Sequence, residues 1–427
     1  MKIVIIGNSA ASTAAIEAIR KYDSRSTITQ LSDEIHPLYS RCLISYFIAG
    51  KIDKDKLLYR TSDFHKKMKV ELHSGIYAEE VDTKQQQIKC RGGKQFEYDK
   101  LLIATGSSAK LPSTISSNIN GIFELRTLDN AVAIKNIIPQ AKNVVILGGG
   151  LIGMRASDAL YKCGLKVTVV VQSKHVLSQM IDFEAAQIIQ KRIQANNIEI
   201  LTQTDISEVI SKKNNLTAVR TNTGKLLECE ILIVAKGVNA NTQLIENSGI
   251  EKRRGIVTNQ YMQTNMANVF AAGDVAETYD ITSEEFATNA LWTCAVQQGF
   301  IAGQNIAGRQ KVYNGSMGQN SLNFFDVSLI SMGLTSPKEN SKYKILYASR
   351  PSQNIYKKLV IQNKQLKGII LLGKIDNAGI LLDLIQRKTD ISGFEDELIN
   401  DNFNFGKIIK FMGKEAVERY SMQRQWQ

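Results

Sequence analysis

Short apolar runs punctuated by glycine organise this chain. The first covers residues 3–6 and stops at Gly7; small and apolar residues then recur with helical spacing over 10–20, and a second short run fills 27–31. A brief apolar run bounded by a turn residue reads as a buried strand, and a 3.6-residue period reads as an amphipathic helix. Strand, tight turn, helix and strand within about thirty residues make a βαβ unit. The same succession returns at 143–147, 154–163 and 167–171. Each unit leads into a β-rich stretch that ends at a small-residue turn, the first at 100–107 and the second at 230–238. The run 268–275 then reads as a strand that delivers one carboxylate, Asp274, at its C-terminal end, where open parallel sheets bind ligands. Beyond residue 316 the pattern changes: 358–361 and 368–372 read as antiparallel strands and 378–387 as a helix.

The turns refine this picture. Gly148-Gly149-Gly150-Leu151-Ile152-Gly153 fits G-x-G-x-x-G, in which glycines permit a tight turn and a close approach of backbone to a pyrophosphate at the helix N-terminus. The first turn, Gly7-Asn8-Ser9-Ala10-Ala11-Ser12, has serine at two glycine positions, Ser9 and Ser12; their hydroxyls are candidate phosphate donors. Gly106 and Gly237, after the later strands, let backbone pass close to a bound nucleotide. Two such turns imply two dinucleotides. The fold class is therefore α/β, with two Rossmann-like dinucleotide-binding domains and a C-terminal α+β portion of a size suited to subunit pairing, so that a homodimer is expected.

Composition narrows the partners. A globular chain of 427 residues, 43% hydrophobic and 22% charged, suffices for two to four domains at roughly 100 to 200 residues each. No run reaches the ~18 to 20 apolar residues of a membrane helix, and Met1-Lys2 leads directly into the first strand, so neither a membrane span nor a signal peptide is expected and the location reads as cytoplasmic. Five cysteines without a CxxC pair and four histidines predict neither a disulfide scaffold nor a metal site. The formal charge of +12 is dispersed and accompanies no nucleic-acid motif, so no nucleic-acid partner is expected, although an acidic electron carrier is compatible with it.

One stretch carries candidate chemistry of its own. Residues 36–50, HPLYSRCLISYFIAG, set Cys42 after a polar turn and before an apolar run able to form a helix. A thiol at a helix start meets the positive end of the backbone dipole, which favours the thiolate. The alternative is a small buried hydrophobe near a turn.

With the two turns, Ala104-Thr105-Gly106 and Ala271-Ala272-Gly273-Asp274 in this order, the chain resembles the FAD-dependent pyridine nucleotide-disulfide oxidoreductases over nearly its whole length. Within them it is most similar to the branch of NADH oxidases and peroxidases, coenzyme A disulfide reductases, rubredoxin reductases and the FAD domains of nitrite reductases. The resemblance implies a discontinuous FAD-binding domain, 1–111 with 241–315, an NAD(P)-binding domain, 112–240, and a C-terminal interface or dimerisation domain, 316–427. It places the FAD pyrophosphate on Gly7, Asn8, Ser9, Ala10 and Ala11, the adenosine ribose near Asp33 or Glu34, and Arg41, Cys42 and Ser45 along the pyrophosphate and flavin. Ala104, Thr105 and Gly106 would pack on the cofactor, Gly273-Asp274 would meet a ribityl hydroxyl, and Thr293, Cys294 and Ala295 would begin the helix at the pyrimidine end of the flavin, with Cys294 as packing. NADH or NADPH would lie on Gly148, Gly150, Leu151, Ile152, Gly153, Lys174 and Gly237.

The resemblance also gives Cys42, eight residues before Gly50, the place of a single redox cysteine facing the flavin. Three departures qualify the chemistry. Leu43 stands where redox-cysteine members have glycine, and the YSRxLIS wording is closer to electron-transfer members; Ala10 replaces a histidine that assists peroxide reduction; and Arg155 replaces a glutamate after the glycine turn. Val171-Gln172 ends the second unit without the acid that binds the NADH ribose, and Ser173, Lys174 and His175 follow, so a 2′-phosphate is tolerated or preferred. The expectation is an FAD-dependent NAD(P)H oxidoreductase that reduces a low-molecular-weight disulfide, such as coenzyme A disulfide, through Cys42. The alternatives are an electron-transfer reductase or subunit serving a rubredoxin, ferredoxin or iron-sulfur partner, and a flavin-bearing scaffold without nicotinamide turnover.

Overall fold

The computed structural model describes residues 1–116, 118–338, 340–404 and 406–407. The chain begins with β1 (Lys2–Ile6), α1 (Ala10–Tyr22), β2 (Thr27–Ser32), a short helix α2 (Ile44–Ile48), β3 (Val70–Ser74) and β4 (Lys100–Ile103). It continues through β5 (Ile122–Phe123), α3 (Leu128–Ile137), β6 (Asn143–Leu147), α4 (Leu151–Lys162), β7 (Lys166–Val171), α5 (Phe183–Gln194), β8 (Glu199–Thr202) and β9 (Ile231–Val234). Then come β10 (Val269–Ala271), α6 (Trp292–Ile306), β11 (Gln319–Phe324), β12 (Val327–Gly333), β13 (Lys344–Arg350), β14 (Ile355–Gln362), β15 (Gln365–Leu372) and α7 (Ala378–Gln386).

These elements form two compact units: Met1–Val176 with Asn197–Ser316, and Leu177–Asn196 with the chain from Met317 onward. The first contains two five-stranded parallel sheets, ordered β10-β4-β1-β2-β3 and β5-β9-β6-β7-β8. They are the same arrangement built twice, with β1 and β6 central and the glycine turns leaving from equivalent ends. Ile3, Val4, Ile5 and Ile6 of β1 and Leu101, Leu102 and Ile103 of β4 are buried, as are Ile16 and Ile19 on α1, which explains why these runs read as uninterrupted apolar stretches rather than as alternating ones.

The repeat extends to backbone contact. Gly7 (φ +116°) and Gly148 (φ +126°) lie so close to the neighbouring strand ends that a Cβ would fall 2.1 Å from the Ala104 carbonyl oxygen in one unit and 2.2 Å from that of Ala235 in the other. A second close approach joins α1 to α6. A Cβ on Gly299 would lie 2.1 Å from the Ala11 carbonyl oxygen, and one on Gly303 2.4 Å from that of Ala15. Small residues on both helices thus bring their axes together and hold the two helix starts in a fixed relation.

The second unit is a five-stranded antiparallel sheet, β11-β12-β15-β14-β13, with α7 packed on it. Helix α5, which lies within the 112–240 stretch, groups with this sheet. Asp182 caps α5 by accepting from the Ala185 amide at 3.1 Å, accepts from the Tyr356 hydroxyl at 2.7 Å and pairs with the buried Lys358 at 2.9 Å. Breaking one side of such a buried pair typically costs about 3 to 5 kcal/mol. The expected C-terminal domain, 316–427, runs on into residues 408–427, which lie outside the described residues. No helix among the described residues is long and apolar enough to cross a membrane.

Two glycine-to-alanine changes should separate close packing from helix propensity. Gly299→Ala places its methyl against backbone that has no room to yield and should destabilise the protein by about 1 to 3 kcal/mol. Gly379→Ala, on α7 with open space around the new Cβ, should instead stabilise by roughly 0.5 to 1 kcal/mol. Urea unfolding followed by circular dichroism measures both; equal effects of one sign would contradict the packing described.

Candidate active site

The first glycine turn is braced from below by Gln30 of β2, whose side-chain amide donates to the Gly7 carbonyl at 2.8 Å and to Asn8 Oδ1 at 3.2 Å. His65 Nε2 meets Gln30 Oε1 at 3.0 Å, and burial pushes the His65 pKa down. Ser12 explains how serine replaces a glycine here. Its hydroxyl accepts from the Ser9 amide and donates to the Ser9 carbonyl, both at 2.9 Å, so it closes the turn and is not the free phosphate donor that the sequence suggested. Amides of Ala10 and Ala11, in the first turn of α1, have no acceptor within the helix and are disposed toward an anion.

Around Asp274, after β10, the structure assembles residues that sequence reasoning missed. Ser107 donates to Asp274 Oδ2 at 2.7 Å, and Arg126 Nη2 reaches the same oxygen at 3.1 Å while donating to the Ser107 carbonyl and hydroxyl. Asp274 Oδ1 makes no hydrogen bond to a described residue and is available to a ribityl hydroxyl. Arg126 Nε is buried without a partner, an orphaned donor of the kind a bound polar ligand satisfies. The backbone of Arg126 is fixed by the cap of α3: Asn130 Oδ1 accepts its amide, and the Asn130 amide donates to Thr127 Oγ1. T-x-x-N at 127–130 marks that helix start in the sequence, yet nothing local announces that the preceding arginine reaches Asp274.

Arg41 extends the network by donating to the Arg126 carbonyl at 2.8 Å and pairing with Glu34. Glu34 also accepts from the Tyr39 hydroxyl at 2.6 Å, and that hydroxyl accepts from the Leu128 amide. Of the two acids proposed for the adenosine ribose, Glu34 is therefore held by protein on both oxygens, whereas Asp33 is exposed and makes no hydrogen bond to a described residue. Thr105 and Asn241 exchange hydrogen bonds at 2.9 Å, which ties the Ala104-Thr105-Gly106 turn to the start of the returning segment. The glycine cradle, the helix-start amides, the orphaned Arg126 donor and the unsatisfied Asp274 oxygen together fit a dinucleotide such as FAD.

Cys42 lies in a 3-10 turn, Arg41–Leu43, before the five-residue α2. So short a helix has little dipole to offer, and the expected lowering of the thiol does not occur: burial on its protein side pushes the Cys42 thiol up. The Arg155 cation and a hydrogen bond with Ser40 pull it back, and the Asp274 charge opposes them. Cys42 is the one exposed cysteine of the five. Ser45 is buried on α2, and Thr293, Cys294 and Ala295 occupy the first turn of α6, where Cys294 is buried at 4% exposure.

Helices α3 and α4 grip α2. Arg155 of α4 lies 5.9 Å from the centre of the Tyr46 ring. Lys135 of α3 stands 4.3 Å over Phe47 and donates to its carbonyl, and Cys163 donates through sulfur to the Ile48 carbonyl at 3.4 Å. Gly150 precedes α4 as its cap, with Leu151, Ile152 and Gly153 in the first turn, while Gly237 follows β9 and Lys174 is exposed beyond β7. Among the described residues no group of His, Cys, Asp or Glu is arranged to hold a metal ion.

Comparison with known proteins agrees with this geometry. The family model "Pyridine nucleotide-disulphide oxidoreductase" matches residues 1–299, and "Rubredoxin NAD+ reductase C-terminal domain" matches 319–389. An NAD(P)H coenzyme A polysulfide/persulfide reductase of Pyrococcus horikoshii is 30% identical over 405 residues, 89% of this chain and 90% of that one. The epsilon subunit of an NADH-dependent phenylglyoxylate dehydrogenase of Aromatoleum evansii is 28% identical over 410 residues, 96% and 97% of the two chains. The fold matches that of a NAD-dependent persulfide reductase from A. fulgidus with a TM-score of 0.87 at 24% identity, over 95% of this chain and 79% of that one. The chain belongs to the pyridine nucleotide-disulphide oxidoreductase family and is an FAD-dependent enzyme that uses NAD(P)H.

Proposed function

We propose that the enzyme reduces a small disulfide or persulfide through Cys42. The observation that carries this reading is the setting of Cys42, exposed where the other four cysteines are not, and within the fields of both Asp274 and Arg155. FAD, held by the residues assigned to it, would supply the two electrons that NAD(P)H provides. The Cys42 thiolate attacks one sulfur of the substrate disulfide, a mixed disulfide forms and the first thiolate leaves. Two electrons and a proton cleave the mixed disulfide, returning the Cys42 thiolate and a second thiol; overall NAD(P)H, a proton and a disulfide become NAD(P)⁺ and two thiols. Arg155 favours the thiolate and attracts anionic groups of the substrate, while Arg126 and Ser107 fix Asp274 for the ribityl chain. The residues assigned above to FAD and to NAD(P)H hold these cofactors in the domains 1–111 with 241–315 and 112–240.

On this reading the protein acts in the cytoplasm as a homodimer paired through 316–427, for which the edge strand β13 offers the 71% exposed Tyr347. A second reading, transfer of electrons to a redox protein, draws on the elevated Cys42 thiol, which keeps the sulfur protonated at neutral pH, and on a relative named NADH-rubredoxin oxidoreductase from Clostridium acetobutylicum. A scaffold without nicotinamide turnover has no observation in its favour, since the Gly148 turn repeats the geometry of the Gly7 turn.

Cys42→Ser should keep reduction of the flavin by NAD(P)H, followed as bleaching, and lose disulfide turnover by roughly a hundredfold or more; unchanged turnover with salt-sensitive reduction of an added rubredoxin supports the second reading. Alkylation by iodoacetamide reads the thiol directly. Because only the thiolate reacts and its pKa is raised, the rate at Cys42 should climb as pH rises above neutrality. Arg155→Met removes a cation, raises the thiol further and should slow alkylation at neutral pH by about three- to tenfold; an unchanged or faster rate would rule out the assigned role of Arg155.

A further inference from the structure

Beyond β7, at the position where an acidic residue would accept the adenosine ribose hydroxyl of NADH, this chain has Gln172. A lysine reaches it from across the sheet. Lys236 follows β9, and β7 and β9 flank β6 on opposite sides, so the two residues start about 10 Å apart with the end of β6 and its glycine turn between them. The Lys236 ammonium nevertheless lies 3.3 Å from Gln172 Oε1 and 2.6 Å from Asp205 Oδ2. Asp205 is itself held in place: its amide donates to Asn222 Oδ1 at 3.0 Å, its carbonyl accepts from the Asn222 amide, and its Oδ1 accepts from the Ile206 amide at 2.9 Å.

This arrangement decides which way the subsite faces. An ammonium has three hydrogens and no lone pair, so Gln172 must turn its carbonyl oxygen toward Lys236 and its NH2 group away. That NH2 makes no hydrogen bond to a described residue, one ammonium hydrogen is left over, and the exposed Lys174 stands two residues beyond Gln172. The acceptors in these contacts already face donors: Gln172 Oε1 and Asp205 Oδ2 face the Lys236 ammonium, and Asp205 Oδ1 faces the Ile206 amide. A subsite that turns the Gln172 NH2, a spare Lys236 hydrogen and the exposed Lys174 outward matches a phosphate, which only accepts, better than the 2′-hydroxyl of NADH, which an acidic residue would have bound.

We propose that Lys236, drawn across the glycine turn by Asp205 and Gln172, reads the 2′-phosphate of the nucleotide and makes NADPH the preferred hydride donor. The inference rests on NAD(P)H use and is independent of the role proposed for Cys42.

The test is calorimetric binding to the FAD-loaded enzyme of two probes that differ only in the 2′-phosphate, adenosine 2′,5′-bisphosphate and 5′-AMP. The native enzyme should bind the bisphosphate about tenfold or more tightly than AMP, as expected for charge-assisted contacts to a phosphate. Lys236→Met should bring the two affinities within about twofold by weakening the bisphosphate alone. Gln172→Glu, which retains Lys236, should move the preference toward AMP, and it keeps the proposal testable if the Lys236 variant fails to fold. The ratio of KM values for NADPH and NADH should follow the same order. Equal binding of the two probes by the native enzyme overturns the proposal, as does a preference that survives both substitutions. Binding of neither probe, with no bleaching by NADH or NADPH, overturns it together with NAD(P)H use itself.

Discussion

Everything at the site depends on how closely two pieces of backbone approach at the ends of the central strands. Gly7 rests on the Ala104 carbonyl and Gly148 on that of Ala235, each at a distance that leaves no place for a side chain and with a φ that a side chain would resist. This contact sends the chain sharply from strand to helix and leaves helix-start amides facing the ends of β1 and β6. It also places Thr105-Gly106 and Lys236-Gly237 next to those amides. The two glycine turns are thus the same packing constraint satisfied twice, with different side chains added around it.

Those side chains give each turn its character. Near the first, Arg126 and Ser107 converge on one oxygen of Asp274 and leave the other open, while Arg41 and Glu34 pair beside them. Near the second, Lys236 and Asp205 pair across the turn. Asp274 opposes and Arg155 favours the ionisation of Cys42. The thiol is not activated by a helix end. The cation that favours its ionisation, Arg155, comes from α4, the helix that begins at the second glycine turn.

The parts of this arrangement that are local in sequence could be read there. The βαβ units, the glycine turns, the strand before Asp274 and the antiparallel run near the C-terminus follow from periodicity and turn chemistry, although β10 stops at Ala271, three residues short of Asp274, α4 starts three residues earlier than its period suggests, and β14 and β15 each begin three residues before the apolar runs read as strands. The parts that depend on distant side chains could not be read. Arg126 and Asp274 are separated by 148 positions and Lys236 and Gln172 by 64, and no spacing rule links them. Ser12 was legible as a departure from glycine, but that its hydroxyl would close the turn depended on which way it points. Cys42 illustrates a different limit: an apolar run marks a helix, yet its strength as a dipole depends on length, and α2 stops after five residues at a segment clasped by Lys135 and Cys163.

We propose that electrons leave the enzyme through Cys42. Mass spectrometry of the peptide that contains Cys42 tests it most directly, after anaerobic incubation of the FAD-loaded enzyme with coenzyme A disulfide and then with NADPH. The account predicts that Cys42 first gains the mass of the bound thiol and loses it when NADPH is added, with coenzyme A released in step. Reduction of the disulfide by NADPH while Cys42 stays unmodified, at a rate that Cys42→Ser leaves intact, would contradict it.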